Sequence, residues 1–413
     1  MVYLYKYKKT KDVFMKKLWM MLIVFSLGIT SAGATEKEIF ITIDSDAVNA
    51  SQKSMTGLKT VAGDLDISVL KIKESEVEKL SVMMHDKFNR CGGFMVHESE
   101  AEALAVLANN SSRKIAKDLT FLNYTISEGE RVQSMISTVK EFGIRDMIKK
   151  MSAFQNRYYK SQTGVDSQNF VKATWEKLGQ NRSDVSVELY QHSSWPQPSV
   201  IMTVEGTTMK DEVVIIGGHA DSIAGWWGRE KARAPGADDN ASGIATITEV
   251  IRVMMDNGYK PQRTIQFMAY AAEEVGLLGS KAIANDYKKQ GKNVVGVVQF
   301  DMTNHKGSKD LDIVFMTDFT NEAQNKFMGS LIDTYVTGIN WGYDKCGYGC
   351  SDHASWTNAG FPASMPFESR MGDINGHIHT KKDTIDVAAS GGTADHAEKF
   401  ARLGVAFLVE MGK

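Results

Sequence analysis

His219, Asp239, Glu274, Asp301 and a histidine at 377 or 379 lie far apart in the chain, yet each sits in a short motif that offers an imidazole or a carboxylate. A further carboxylate, Glu273, stands beside Glu274. Oxygen and imidazole donors without thiolate suit zinc or a similar hydrolytic metal. A glutamate left over from ligation can accept the proton of a water activated by such a metal. The chemistry these residue types imply is metal-assisted hydrolysis.

Three of the motifs follow apolar runs. His219 closes the run 213–216 (VVII), Glu273 and Glu274 follow 265–270 (IQFMAY), and Asp301 ends 294–300 (VVGVVQF). Such runs read as buried strands, and in open α/β sheets ligands bind where loops gather at the carboxyl ends of the strands. Residues so placed can converge despite their separation in sequence. Asp221, two residues beyond His219, is on the same side of an extended segment and can accept the second imidazole N–H. The stretch Gly236-Ala237-Asp238-Asp239-Asn240-Ala241-Ser242-Gly243 precedes a helical pattern, where one acidic side chain would serve as a cap. The second carboxylate needs another positive partner. Adjacent side chains at a strand end point in different directions, so one of Glu273 and Glu274 can bind metal while the other moves a proton. His377 and His379 share one side of an extended segment, and the residues alone do not choose between them. No G-x-S-x-G elbow, G-x-G-x-x-G turn or phosphate loop competes.

The chain has 413 residues, 43% of them hydrophobic, enough for one large domain and something smaller. A net charge of −2 gives no reason to expect nucleic acid or an anionic membrane as a partner. Lys16 and Lys17 precede an apolar stretch from Leu18 to Ile29, and Ala32-Gly33-Ala34 follows, the pattern of a signal peptide ending at residue 34, with Met1 or Met15 as the start. That stretch is shorter than the ~20 residues that span a bilayer. Cys346 and Cys350 are close in sequence, and in an exported protein they are expected to be bridged, leaving Cys91 unpaired. Residues 35–112 read as a separable α+β unit, strand-like at 39–43, helical around Lys71 to Met84 and broken at Asn109-Asn110-Ser111-Ser112, which is either a removable pro-segment or an accessory domain. From 113 to 413 helical patterns alternate with apolar strands, as at 242–255 and 393–411. The expected fold is α/β, a mostly parallel, mixed twisted sheet covered by helices on both faces.

Taken together, GGHADS, APGADDNASG, AYAAEEVGLLGS, QFDMTNHKGS, CGYGCSDHASWTNAGFP, MPFES and HIHTKKDT resemble the secreted bacterial leucyl aminopeptidases with two co-catalytic zinc ions. The likeness runs from about Phe154 to Gly412. It implies that His219 and Asp301 hold one zinc, that Glu274 and His379 hold the other, and that Asp239 bridges them. It selects His379 over His377, because the matching histidine directly precedes the threonine. It makes Glu273 the general acid/base, Asp221 the partner of a ligand histidine, and Cys346–Cys350 the disulfide. It further implies a signal peptide, an inhibitory pro-segment, and a secreted or periplasmic monomer acting on peptides with a free N-terminus. Met302, Met316, Cys350, Phe367, Met371 and Ile374 would line the pocket for the first side chain. Rival readings are a carboxypeptidase or glutaminyl cyclase on the same fold, and a metal-free binding protein.

Overall fold

The computed structural model describes residues 36–88, 90, 92–113, 124–225, 228–387 and 391–413, so the leader at 1–34 and Cys91 lie outside the described residues. Period-two alternation at 39–43 buries Ile39, Ile41 and Ile43 together and makes β1 (Glu38–Asp44). There follow α1 (Val48–Ser54), β2 (Lys59–Gly63), β3 (Ile67–Lys73), α2 (Val77–Phe88), β4 (Phe94–His97) and α3 (Glu100–Arg113). The four strands form an antiparallel sheet in the order β2-β3-β1-β4, a βαββαβ arrangement. Two expectations are corrected here. The helix anticipated from Lys71 starts only at Val77, because 67–73 pairs with β1 on one side and β2 on the other, and sheet pairing overrides local preference. The polar break at 109–112 is no break, since α3 continues to Arg113. Asn and Ser each weaken a helix by under ~1 kcal/mol, too little to end one anchored by buried Ala103 and Val106.

The α/β part begins with α4 (Gly129–Ile136), α5 (Glu141–Ser152) and α6 (Gln162–Gly179), then β5 (Val185–Tyr190), β6 (Ser199–Val204) and β7 (Met209–His219). Next, α7 (Gly243–Asp256) leads to β8 (Arg263–Tyr270), and α8 (Leu278–Lys289) leads to β9 (Asn293–Gln299). The chain ends with β10 (Ile313–Met316), α9 (Glu322–Tyr335), β11 (Trp341–Asp344), α10 (His353–Ala359), β12 (Ala363–Ser364), β13 (Pro366–Phe367) and α11 (Asp395–Met411). One six-stranded sheet has the order β12-β9-β7-β8-β6-β5, parallel from β12 to β8 and antiparallel beyond. A small sheet, β11-β10-β13, lies beside it in sequence.

The continuous apolar run of β7 serves both faces. Val214 and Ile216 pack with α7 and α11, whereas Val213 and Ile215 pack with Ile283 and Tyr287 of α8 and Trp356 of α10. A strand covered on both sides needs no polar residues, which is why its sequence shows no alternation. In α11, fully buried Phe400 meets the edge of Phe300 at the end of β9, with ring centroids 6.1 Å apart. Phe400→Ala should cost about 3–5 kcal/mol, read as a lower urea midpoint at unchanged slope. A loss below ~1 kcal/mol would mean that this face of the sheet does not depend on α11.

Candidate metal centre

β9, β7 and β8 are adjacent and parallel, so their carboxyl ends open on one edge. His219 is the last residue of β7, Glu273 and Glu274 follow β8, and Asp301 follows β9. Asp239 arrives from the turn at Ala237–Ser242 that enters α7, and His379 from the loop between β13 and α11. Ala272, Met302 and His379 have φ of 56°, 55° and 56°. The left-handed region costs an L-residue roughly 1–2 kcal/mol, and such strain persists where the surroundings over-determine the backbone, commonly at functional sites.

Two sets of donors share one carboxylate. His219 Nε2 lies 3.1 Å from Asp239 Oδ1 and 3.3 Å from Asp301 Oδ1. His379 Nε2 lies 2.9 Å from Asp239 Oδ2 and 2.8 Å from Glu274 Oε2. Within each set the donor atoms are within 4.8 Å of one another, and all five residues are buried. Ligands held at ~2.0 Å by a tetrahedral zinc stand about 3.3 Å apart, close to these separations. His379 Nε2 and both Glu274 oxygens make no hydrogen bond despite their proximity, so they converge as ligands do and not as donor and acceptor. The donors therefore form two candidate metal-holding groups, His219, Asp239 and Asp301 on one side and Asp239, Glu274 and His379 on the other, with Asp239 common to both. Both oxygens of Glu273, fully buried beside them, also make no hydrogen bond.

Asp221 does more than the sequence suggested. It stands 3.4 Å from His219 Nδ1 and also accepts the backbone N–H groups of Glu273 (3.1 Å) and Glu274 (3.2 Å). Several positioning residues were missed. Asp383 accepts the N–H groups of Asp238 and Asp239, each at 3.1 Å. The Asn240 side chain donates to the Phe300 carbonyl and accepts from Met302 N, tying the Asp239 turn to the Asp301 turn. Arg157, fully buried, donates to the carbonyls of Ala220, Pro235 and Gly236, and so clasps the segments that carry His219 and Asp239. Asp383 and Asn240 stood in view within HIHTKKDT and APGADDNASG; Arg157 acts across long sequence separations that no local pattern marks.

Burial disfavours ionised Asp239, but the two imidazoles outweigh it and hold the carboxyl far below the usual range. Burial and then Asp239 push Glu274 up to about 7. Burial also raises Glu273 well above an ordinary glutamate. The His379 ring is opposed by burial, yet Glu274 and Asp239 push it up to about 10.

Met302, Cys350, Phe367, Met371 and Ile374 line an apolar cavity of about 20 Å³ next to Asp301, with Tyr348, Met365 and Ile378 as additional walls. Met316, also assigned to this wall, belongs to the same apolar cluster but does not line the cavity. The Cys346–Cys350 disulfide is present. The N-terminal part reaches the centre at Glu274 and His379 and the cavity wall at Tyr348. Ser81 of α2 donates to the Glu274 carbonyl at 2.9 Å, and His85 Nδ1 is 2.8 Å from His379 Nδ1. The Arg90 guanidinium lies 5.1 Å from the centroid of the Tyr348 ring. Burial, and then the His379 charge, hold the His85 ring down at about 3.

A doubly covered α/β sheet with buried candidate metal ligands on its carboxyl edge is the architecture of a class of metallohydrolase. Residues 199–404 match the profile of peptidase family M28. Leucine aminopeptidase 1 of Arthroderma otae is 39% identical over 302 residues, covering 70% of this chain and 79% of that protein. A probable aminopeptidase of Saccharomyces cerevisiae is 36% identical over 294 residues, covering 70% and 77%. The Legionella pneumophila LapA aminopeptidase superposes with a TM-score of 0.77 at 29% identity over 92% of this chain and 99% of that one. The chain belongs to peptidase family M28. Its likeness extends to fungal proteins and is not confined to the bacterial enzymes the motifs suggested.

Asp239→Asn should lower metal content measured by atomic emission, because a neutral amide bridges two cations poorly and offsets less of their repulsion. Full occupancy of both sites in that variant would reduce Asp239 to a helix cap.

Proposed function

We propose that this member of peptidase family M28 is a zinc-dependent aminopeptidase that removes bulky apolar residues, Leu, Met or Phe, from the N-terminus of peptides. The observation carrying the reading is Asp239, which presents one oxygen to each ligand set, with the Glu273 carboxyl buried alongside. Two zinc ions, held by His219, Asp239 and Asp301 and by Asp239, Glu274 and His379, would supply Lewis acidity, lowering the pKa of water and polarising the scissile carbonyl. Glu273 accepts a proton from the attacking water and returns it to the departing amine. Asp221 keeps both the His219 ring and the Glu273 backbone in place throughout.

Burying an aliphatic side chain against Met302, Phe367 and Met371 is worth ~1.5–3 kcal/mol, whereas an unpaired carboxylate there is penalised. Methionine walls adapt, which favours tolerance of several apolar residues.

Residues 35–112 are read as the pro-segment. A cavity of about 20 Å³ holds little more than a water, and Arg90 of the N-terminal part packs on Tyr348, one of its walls. α2 meanwhile sits on Glu274 and His379. The basic and apolar leader and the disulfide support export to an oxidising compartment, secreted or periplasmic.

Glu273→Ala should keep its metals and fold while kcat falls about 10²- to 10⁴-fold; near-normal turnover would remove Glu273 from the mechanism. Nicking the folded full chain between 113 and 124 should raise activity on long peptides. Burial pushes Asp44, 3.4 Å from the position a Cβ at Gly347 would take, up to about 7, with Arg90 opposing the shift. Raised above its unfolded value of 3.8, Asp44 favours the docked state fully below that pH, and the contribution is lost as pH rises through about 7. The activity of the intact chain relative to the nicked chain should therefore increase from pH 5 to pH 7.5, and Asp44→Asn should flatten that dependence. Equal activity of intact and nicked chains at every pH would favour an accessory domain.

A further inference from the structure

Arg229 is a buried guanidinium held by neutral groups. It is 6% exposed, and its hydrogen bonds go to the Gly225 carbonyl and to Ser81 Oγ, each at 3.3 Å. No carboxylate pairs with it among the described residues. Arg157 shows what a structural arginine looks like in this protein, fully buried and ringed by the carbonyls of Met151, Ala220, Pro235 and Gly236. Arg229 lacks such a ring, and an unpaired buried cation is a costly arrangement to keep for packing alone.

Its surroundings show what it faces. Ser81 belongs to α2 and donates onward to the carbonyl of Glu274 at 2.9 Å, so Arg229 stands two hydrogen bonds from the backbone of a ligand residue. Arg229 also lines a cavity of about 370 Å³ together with His379, Ile223, Val82 and His85. Part of that lining, Val82 and His85, is α2 itself. Two acids of α2, Glu78 and Asp86, feel the charge of Arg229. The apolar cavity at Met302 borders Asp301, whereas this larger one borders His379. On the aminopeptidase reading, a peptide with its first side chain in the former has the latter, on the His379 side, available to its leaving part. One extended residue spans ~3.3–3.6 Å, so a carboxylate one residue past the scissile bond is on the scale of the Ser81 bridge.

We propose that Arg229 is a carboxylate-binding group for the leaving side of the substrate. With α2 withdrawn, its guanidinium pairs with the free C-terminus of a dipeptide, or with an acidic side chain directly after the scissile bond. In the docked state Ser81 stands in for that group. This subsite rests on the aminopeptidase reading and adds to it a preference for short or acidic leaving groups.

The test compares kcat/KM for Leu-Gly, Leu-Gly-amide and Leu-Asp-amide, using zinc-loaded full-length protein before and after limited proteolysis of the folded chain. Wild type should favour Leu-Gly over Leu-Gly-amide by about 10- to 100-fold, the scale of a hydrogen bond to a charged group. Arg229→Gln should collapse that ratio towards one, mainly through KM, and Arg229→Lys should restore part of it. Leu-Asp-amide tells a side-chain carboxylate from a C-terminal one: gain there as well assigns both sources, and gain with Leu-Gly alone assigns the C-terminus. A wild-type ratio near one overturns the proposal even if the variants fail to fold, and so does a ratio that survives Arg229→Gln. Failure of wild type to cleave any of the three removes the aminopeptidase reading and this inference with it, an outcome distinct from turnover without carboxylate preference.

Discussion

Like charges buried together must be separated by positive groups built among them, and this protein buries nine carboxylates at one sheet edge. Asp221, Asp238, Asp239, Glu273, Glu274, Asp301, Asp352, Glu368 and Asp383 are each at most 2% exposed. Three devices keep them compatible. Backbone N–H groups serve Asp221, Asp238 and Asp383. Shared protons serve Glu368, which burial and its neighbour Asp238 hold well above an ordinary glutamate. Positive groups serve Asp239, Asp301 and Glu274, which face the His219 and His379 rings, while burial raises Glu273 and Asp352. Environment also divides the acids: Asp239, between two rings, is drawn down, while Asp352 is pushed up to about 7 chiefly by burial.

Such crowding requires the backbone segments to approach closely, and two glycines allow it. A Cβ on Gly218 would fall 2.6 Å from the Phe300 carbonyl oxygen, and one on Gly243 would fall 2.3 Å from the same atom. Without side chains there, β7 and the start of α7 both close onto the end of β9. Asn240 then bonds that same carbonyl. His219, Asp239 and Asp301 therefore converge on a single backbone oxygen before any metal is considered. The parallel order β9-β7-β8 does the same on the other side, since neighbouring strands running one way must end together.

How much of this could be read from the sequence follows from the range of each interaction. Ligands at strand ends were legible because an apolar run and the polar residue that ends it are contiguous, as at 213–219 and 294–301. The choice of His379 over His377 was not legible from pattern, because both lie on the same side of an extended segment; it came from the resemblance, and the structure places His379 against Asp239 and Glu274. Arg157 carries no local signal, since its partners are contributed from as far away as Gly236. The end of the strand at 67–73, from Lys71 on, was read as helix because its pairing is decided by β1, over twenty residues earlier. The resemblance, not local pattern, supplied five residues that line the small cavity beside Asp301, and it did not supply Tyr348, Met365 or Ile378.

The N-terminal part is joined to the rest by contacts of two kinds, and they have different consequences. One is apolar: Ile41, Leu80, Met84 and Phe94 share a cluster with Tyr158, Tyr159, Ile223, Ala271 and Val275. Apolar burial is non-directional and supplies most of the attraction. The other is polar and specific, with Ser81 on Glu274, His85 on His379 and Arg90 over Tyr348. Hydrogen bonds like these contribute little net attraction but fix register. On the pro-segment reading, the division has a direct consequence for the released enzyme. The polar groups are of kinds that water and substrate can replace, while Ile223, left without its apolar neighbours, borders the same cavity as Arg229 and His379. The surface that binds the N-terminal part is then also the surface available to the leaving side of a peptide, apolar along its floor and cationic at one end.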